Sequence, residues 1–330
     1  MASLYSAQLR RGSVQGGVIL EYDVRSIARE HGFDERATEK ACRAADILEE
    51  ICRDPFLRAR LRLVGGTALN FIYCDMARLS VDLDFNYRHV DAEDWGNVRK
   101  DVDEKIKSYL GSMGYEELKI NPAYPLGRVV ISYRNILGLL DEIKIEVGYM
   151  NRIPILKKDV EEGLTHLGKG RKIRVPVPQR EEMFAEKLVA SLHRRLPRDV
   201  FDVASISKLK FDEEVMRKCA VLQSLSHEGT RLNEIYPAEC YERVHLDTSL
   251  AGLLRVDAAR SLNFDFVKKS ATELATKIVD GLTEEERALI DNFYELGQFE
   301  PSTIDKKGIF NEGIKEHPAI NWVLKKLERT

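Results

Sequence analysis

The sequence predicts a mixed α/β domain followed by a helical domain. Short alternating segments typical of strands occur in the first part of the 330-residue chain, separated by helical stretches. From Gln179 to the end, apolar residues recur mainly with helical periodicity, apart from a poorly periodic stretch at 231–243. Apolar residues make up 44% of the chain and charged residues 32%, as in globular proteins. We therefore expect an α/β domain at residues 1–178 and a helical domain at residues 179–330.

The elements of the first domain follow from periodicity and local caps. Asp34 can cap a helix that reaches Cys52 with apolar residues along one side. The following segments are then predicted in order: a strand at 62–64, a glycine turn with a short helix, a strand carrying Asp82 and Asp84, a helix at 92–113, and strands at 118–120, 128–133 and 141–150. The segment 173–177 predicts a peripheral strand, because Pro176 has no amide hydrogen to donate. The expected result is a mixed sheet flanked by helices.

Two aspartates on one predicted strand are the most informative motif. Side chains alternate between the faces of a strand, so Asp82 and Asp84 point the same way while Leu83 faces the core. Glu146 lies in another alternating segment, which could bring a third carboxylate to the first two. Three carboxylates form a hard oxygen site suited to Mg²⁺, with Mn²⁺ as the alternative, and can hold two ions. The competing interpretation is that these acids only solubilise the outer faces of half-buried strands.

A glycine pair follows the strand that precedes this motif. Gly65 and Gly66 have no Cβ atoms, so backbone amides here can approach an anion where the next helix begins. Together with Thr67 they are expected to contact the phosphates of a nucleotide. An anion site beside a divalent-metal site is what a nucleoside triphosphate (NTP) requires, so NTP is the predicted co-substrate.

Arg78 and Ser80 precede Asp82 at two-residue steps and are predicted to share its strand face. Arg78 would either help to hold the triphosphate or brace an aspartate. The Ser80 hydroxyl would either contact a phosphate or hydrogen-bond to the backbone. Both residues are therefore candidates for nucleotide binding.

Lys187 lies on the packing face of a helix predicted at 179–194. Its neighbours there are Phe184, Leu188 and Ser191, because these positions share one side at about 100° per residue. The ammonium either meets the triphosphate or snorkels to water. Without a partner in the protein, its replacement by alanine is expected to leave stability nearly unchanged.

Asp199 and Asp202 lie one turn apart on a helix that starts at Pro197. They therefore share a side, and Arg198 is placed to pair with Asp202 at the i, i+4 spacing. An acid in the first turn can also simply stabilise the helix dipole. Both aspartates are kept as candidates.

Two basic clusters suggest an RNA partner. The stretch GKGRKIR at 168–174 contains four basic residues, and His193, Arg194, Arg195 and Arg198 surround Pro197. Cationic side chains near an active site are what an RNA phosphate backbone requires. Solvated surface charge is the commoner explanation of any single cluster of this kind. The net charge of −3 argues against general binding of polyanions.

The cysteines and the apolar runs predict a cytoplasmic protein. The five cysteines are odd in number and scattered, and no C-x-x-C pair occurs, so reduced thiols are expected. No run of 18 apolar residues exists, and the first residues lack an apolar signal region. Neither a membrane span nor a secretion signal is therefore predicted.

These motifs resemble the DNA polymerase β-type nucleotidyltransferases. In that superfamily a strand ends in Gly-Gly or Gly-Ser, a helix follows, and the next strand carries Asp-x-Asp before a later single acid. The pattern GGTAL at 65–69 with R-x-S-x-D-L-D-F at 78–85 is similar to the AbiEii/AbiGii toxin branch, which includes the MenT toxins. The segments AEKLVASLHRRLPRDVFDVASI at 185–206, GLTEEERALIDNFYELGQFEPSTI at 281–304 and HPAINWVLKKL at 317–327 support this, so the resemblance runs from about residue 61 to the end.

The resemblance implies a nucleotidyltransferase core whose active-site cleft is completed by the helical domain. It implies that Lys187 binds the triphosphate and that Asp199 or Asp202 completes the site by positioning either Lys187 or the nucleotide. It also implies that Ser80 can itself be modified, as in the MenT toxins. Asp82, Asp84 and Glu146 then correspond to the metal-binding acids.

The predicted function is a Mg²⁺-dependent nucleotidyltransferase toxin of a toxin–antitoxin pair. The 3′-hydroxyl of an RNA, above all a tRNA acceptor end, would attack the α-phosphate of an NTP and release pyrophosphate. A cognate antitoxin protein is a further expected partner. One alternative acceptor is a protein hydroxyl or a small molecule such as an aminoglycoside. Another alternative is a non-catalytic nucleotide-binding module, against which the intact set of three acids argues.

Overall fold

The computed structural model describes residues 22–90, 94–115, 117–121 and 125–327. Within them, the strands are β1 Leu61–Val64, β2 Leu83–Tyr87, β3 Glu117–Asn121, β4 Leu126–Arg134, β5 Leu140–Gly148, β6 Val160–His166 and β7 Arg171–Val177. The α-helices are α1 Val24–His31, α2 Glu35–Arg53, α3 Pro55–Arg60, α4 Gly65–Ala68, α5 Trp95–Ser112, α6 Arg180–Arg194, α7 Pro197–Ile206, α8 Glu213–Leu225, α9 Pro237–Glu242, α10 Thr248–Ala251, α11 Val256–Ser261, α12 Phe264–Asp280, α13 Glu284–Leu296 and α14 Pro318–Leu327. A π-helical turn at Leu69–Tyr73 continues α4.

Five of the strands form one mixed sheet in the order β1-β2-β5-β4-β3. β2 pairs parallel with β5, whereas the other three pairings are antiparallel. β6 and β7 form a separate antiparallel pair, which agrees with the peripheral position predicted from Pro176. The predicted α/β fold, a mixed sheet flanked by helices with a helical second half, is confirmed.

Local sequence explains why the elements nearest the site form. The side chain of Asp34 accepts a hydrogen bond from the Ala37 amide and so caps α2 as predicted. In β5, the alternating residues Ile143, Ile145 and Val147 are buried. The opposite face of that strand therefore carries its polar side chains, among them Glu146.

Three details differ from the sequence-based expectations. The helix α1 and the strand β6 were not predicted. β6 reads VEEGLTH, which lacks regular apolar alternation, so its strand form depends on pairing with β7. Asp82 directly precedes β2 and does not belong to it, because the strand begins at Leu83.

The helical part runs from α6 to α14 and contacts the loop that precedes β2. The amide of Leu79, in the loop before β2, donates to the carbonyl of Leu253, 2.7 Å away, after α10.

All five cysteines are free thiols, as expected. Among the described residues, no helix combines the length and the apolar character that crossing a bilayer requires.

Candidate active site

Three carboxylates meet where the parallel strands β2 and β5 lie side by side. Asp84 and Glu146 are direct register partners across this pairing. Asp82, one residue before β2, lines the same cavity as both of them. The geometry therefore brings together the three acids that the strand alternation singled out. We call Asp82, Asp84 and Glu146 the carboxylate site.

The carboxylate site has little positive charge around it. Neither Asp82 nor Asp84 forms an ion pair with a described residue, and Glu146 pairs only with Arg128, at 2.6 Å. Burial and the neighbouring charges of Asp82 and Glu146 raise the pKa of Asp84 to about 6. Arg128 and the charge of Lys187 relieve only part of the repulsion among these oxygen donors, so the set is suited to a hard divalent cation such as Mg²⁺. The chemistry of these donors fits the metal that the resemblance implies, although their ligand atoms, unlike those of Asp46, Glu49 and His166, do not all lie within 4.8 Å of one another.

The glycine pair is required by close packing around the carboxylate site. Gly65 has a φ of +72°, and a Cβ atom there would lie 2.5 Å from Oδ2 of Asp84. A Cβ atom on Gly66 would lie 2.6 Å from a guanidinium nitrogen of Arg78 and 2.9 Å from the hydroxyl of Ser80. Both glycines line the cavity. Only a residue without a side chain fits either position.

Thr67 does not occupy the position expected for a phosphate-binding side chain. It is buried, it is not among the cavity-lining residues, and its hydroxyl donates to the backbone carbonyl of Asp82. The structure thus gives the Thr67 side chain a contact within the protein, and a role of this residue in phosphate binding stays a prediction. The hydrogen bond fixes the backbone at Asp82, directly before β2 begins.

Arg78 braces an aspartate, which was one of its two predicted roles. Its guanidinium binds Asp202 through two parallel contacts, Nε to Oδ1 at 2.8 Å and Nη2 to Oδ2 at 2.7 Å. Arg78 is 3% exposed and Asp202 is fully buried. Asn70 donates to the same carboxylate at 3.1 Å and to the carbonyl of Gly66 at 3.0 Å. These contacts join the glycine turn to α7.

Lys187 has two carboxylate partners inside the protein. Its Nζ lies 3.2 Å from Oδ1 of Asp199 and 3.1 Å from Oδ2 of Asp202. These contacts match the positioning of Lys187 by the acids of α7, and the expected small effect of its replacement on stability, which took no account of such partners, stays an untested prediction. The pairing of Arg198 with Asp202 was wrong, because Arg78 and Lys187 occupy that carboxylate. We call Arg78, Lys187, Asp199 and Asp202 the buried ion network.

The two aspartates of this network have different access to the cavity. Asp199 lines it and also pairs with Arg194 at 3.0 Å, whereas Asp202 lies behind it and is fully enclosed. Arg78 and Lys187 hold the pKa of Asp202 down to about 2 against the effect of its burial. Asp202 therefore remains ionised and anchors both cations.

The carboxylate site and the buried ion network face one cavity of about 350 Å³. This volume lies within the range of about 300–1,000 Å³ that small-molecule sites occupy. One wall comes from β2, β5 and the glycine turn, and the other comes from α6, α7 and the end of α8. Ser80 also lines it. Every predicted site residue except Thr67 and Asp202 thus faces this space.

Several cavity residues were missed by the sequence-based predictions. Glu186 precedes Lys187 in α6, and burial raises the pKa of its carboxyl group. Its place in the segment that carried the resemblance was a usable signal. Gln223 and His227 come from α8 and the turn after it, more than thirty positions downstream, and nothing in the sequence linked them to the site.

The basic stretch 168–174 has another function in the fold. Lys169 lies 2.8 Å from Asp46 and 2.8 Å from Glu49, and Arg171 also pairs with Glu49. Asp46, Glu49 and His166 have ligand atoms within 4.8 Å of one another, a spacing that could hold a metal ion. The ammonium of Lys169 already supplies the cation there. This stretch lies outside the cavity, so its expected place beside the active site was wrong.

Comparison with known proteins agrees with this geometry. The fold is similar to that of the nucleotidyltransferase toxin MenT4 from Mycobacterium tuberculosis H37Rv, with a TM-score of 0.60 and 16% sequence identity over 92% of this chain and 99% of that chain. Among curated protein sequences, none matches the chain. The family model for the nucleotidyl transferase AbiEii toxin of type IV toxin–antitoxin systems matches residues 46–296, which include every predicted site residue. The chain therefore belongs to the AbiEii nucleotidyltransferase toxin family.

Proposed function

We propose that this nucleotidyltransferase transfers a nucleoside monophosphate from an NTP to the 3′ end of an RNA, with a tRNA acceptor end as the preferred substrate. The observation that carries the proposal is the shared cavity. A carboxylate site with almost no neutralising charge lies on one wall, and Lys187, Arg194 and Arg198 lie on the other. One wall suits cations and the other suits phosphates. The proposed setting is the cytoplasm, with a cognate antitoxin as partner.

The residues of the cavity have different proposed roles in the reaction. Asp82, Asp84 and Glu146 would hold Mg²⁺, or Mn²⁺ in its place. The bound ion would supply the positive charge that grips the triphosphate and favours loss of the acceptor proton. In the alternative arrangement Glu146, which lines the cavity from β5, would instead take that proton.

Lys187 would neutralise charge as it builds on the leaving pyrophosphate. The buried ion network supports this role, because Asp199 and Asp202 fix the position of its ammonium. Gly65, Gly66 and Ser80 would contact the phosphates across the cavity. The proposed division at residues 178 and 179 places this lysine on the helical domain, which completes the cleft.

An RNA acceptor is supported by the cations at the cavity mouth. Arg198 is exposed, lines the cavity and forms no ion pair with a described residue. Arg194 is also exposed, although it pairs with Asp199. Guanidinium groups bind phosphate through paired hydrogen bonds, which suits the backbone of an approaching strand.

The test is transfer of label to total RNA from each of the four NTPs in the presence of Mg²⁺. The wild-type protein should label a discrete RNA species at its 3′ end with one preferred nucleotide. Asp82→Asn keeps the size of the side chain and removes a charge, so transfer should fall on the order of a thousandfold. The matched control is Asp280→Asn at the exposed end of α12, which should retain full transfer.

The labelled product distinguishes the alternatives. Label in a protein or a small molecule would show that the RNA acceptor is wrong while leaving nucleotidyl transfer in place. Undiminished transfer by a folded Asp82→Asn protein would show that the carboxylate site is not the catalytic centre.

A further inference from the structure

The helical wall of the cavity contains two stacked imidazole rings. His193, in α6, and His227, after α8, have ring centroids 5.5 Å apart and planes inclined by 28°. Nδ1 of His193 lies 3.0 Å from the hydroxyl of the buried Thr230, a hydrogen-bonding distance that fixes this ring. Both imidazoles line the cavity opposite the carboxylate site. The pair presents a positioned aromatic surface to whatever the cavity binds.

A carboxamide lines the same cavity as these rings. Gln223, four positions before His227, lines the cavity and is 7% exposed. Its side-chain amide has no hydrogen bond to a described residue, and its polar atoms are not among the buried atoms that lack a partner, so they are accessible. A ligand in the cavity can therefore reach both polar groups of this side chain. The carboxamide offers a donor and an acceptor side by side.

The less exposed ring of the imidazole pair, that of His227, stays uncharged. Burial, together with the neighbouring His193 and Arg194, lowers the pKa of His227 to about 4. A neutral ring at physiological pH stacks on another ring without adding charge to the cavity. Stacking of bases on aromatic side chains, including histidine, is a common mode of nucleic-acid recognition.

We propose that Gln223 and the His193–His227 pair form a nucleobase-binding subsite that determines base preference. The base stacks on the imidazoles, and its edge exchanges hydrogen bonds with the carboxamide of Gln223. Adjacent donor and acceptor groups on a base edge match a carboxamide directly. The inference rests on the proposed function, because the base reaches this wall as part of a nucleotide whose phosphate lies at the carboxylate site.

The nucleobase can come from the incoming NTP or from the last nucleotide of the acceptor. Binding of each NTP with Mg²⁺ in the absence of RNA tests the first source. Transfer to short RNAs that differ only in the 3′-terminal base tests the second. Binding does not require transfer, so failure of the RNA acceptor and failure of the subsite give different results.

The decisive variant is Gln223→Met, which keeps the length of the side chain and removes both hydrogen-bonding groups. It should reduce the affinity ratio between the best and the worst NTP about tenfold, as expected for loss of a paired contact to a base edge. Affinity for inorganic tripolyphosphate, which has no base, should not change. The control is Gln298→Met, at an exposed position outside the cavity, which should preserve the ratio.

A second variant separates recognition from packing. Gln223→Glu keeps the shape and the acceptor but loses the donor, so it should change the ranking of the bases. If only the ranking of RNA 3′ ends responds to these variants, the subsite holds the acceptor base. If neither the NTP ranking nor the RNA ranking responds in folded variants, the proposal is overturned.

Discussion

Two groups of acidic side chains lie within one active-site region and differ in the charge around them. In the carboxylate site, one arginine at the edge is the sole ion-pair partner among the described residues. In the buried ion network, Asp199 and Asp202 have arginine and lysine partners at 2.7–3.2 Å. The first group is left for a cation from solution, whereas the second carries its own cations. Acids proposed for catalysis therefore differ from acids that stabilise the structure in how many cationic partners the protein gives them.

The largest expected effect is the loss of stability when the buried ion network is broken. Asp202→Ala leaves Arg78 and Lys187 buried without their shared carboxylate, which should cost about 3–5 kcal/mol of unfolding free energy. Chemical denaturation of the two proteins measures the difference. Asp280→Ala, at an exposed position, should change stability by less than about 0.5 kcal/mol. A similar small change for both variants would contradict the structural assignment of Asp202.

The contributions of Asp84 and Asp202 to the free energy of unfolding should change with pH in opposite directions. The pKa of Asp84 is raised to about 6, so its carboxyl group binds its proton more tightly in the folded protein. Its ionisation therefore removes stability as the pH rises from about 4 to about 6. Asp84→Asn should then be more stable than wild type above pH 6 by about 1–3 kcal/mol, and the difference should vanish below pH 4.

Asp202 should behave in the opposite way. Its pKa is lowered to about 2, so its contribution to stability is present above pH 4 and is lost as the pH falls towards 2. The destabilisation caused by Asp202→Asn should therefore shrink over that range. Unfolding curves between pH 2 and pH 8 test both signs, and equal profiles for the two variants would refute the comparison.

The smallest expected effect concerns Lys169, which supplies the cation between Asp46 and Glu49. Lys169→Met should cost about 1 kcal/mol, because Lys169 is partly exposed and other cations remain nearby. The double variant Lys169→Met/Asp82→Asn also lacks one acid of the carboxylate site. Added Mn²⁺ should raise its melting temperature and so offset part of the loss caused by Lys169→Met. Asp82→Asn alone should not respond to Mn²⁺. Equal responses would show that the lysine does not stand in for a metal ion.

The sequence predicts the fold well because the relevant signals are local. Alternation in β5 and the cap at Asp34 lie within a few residues of the structure that they specify. The same alternation predicted that Asp82 and Asp84 would share a side. The register that sets Asp84 beside Glu146 is a long-range pairing; strand alternation allowed it and the resemblance to a known superfamily favoured it, but neither specified it.

The partners of buried charges were not predictable in the same way. Arg78 and Asp202 are 124 positions apart, and no local spacing indicates that they form a pair. The i, i+4 rule favoured Arg198 as the partner of Asp202. In the fold, however, Asp202 is buried against other elements, and its partners there are Arg78 and Lys187. Gln223 and His227 joined the cavity for the same reason, through the packing of α8 against α6.

The central claim is that the carboxylate site is left for a divalent cation, and melting temperature tests it most directly. Wild-type protein, Asp82→Asn and Asp280→Asn would be melted at pH 8 with an NTP and increasing Mg²⁺. A ligand that binds only the folded state raises the melting temperature. Wild type and Asp280→Asn should show a Mg²⁺-dependent rise that Asp82→Asn lacks. The same rise in all three proteins, or none in wild type, would contradict the claim.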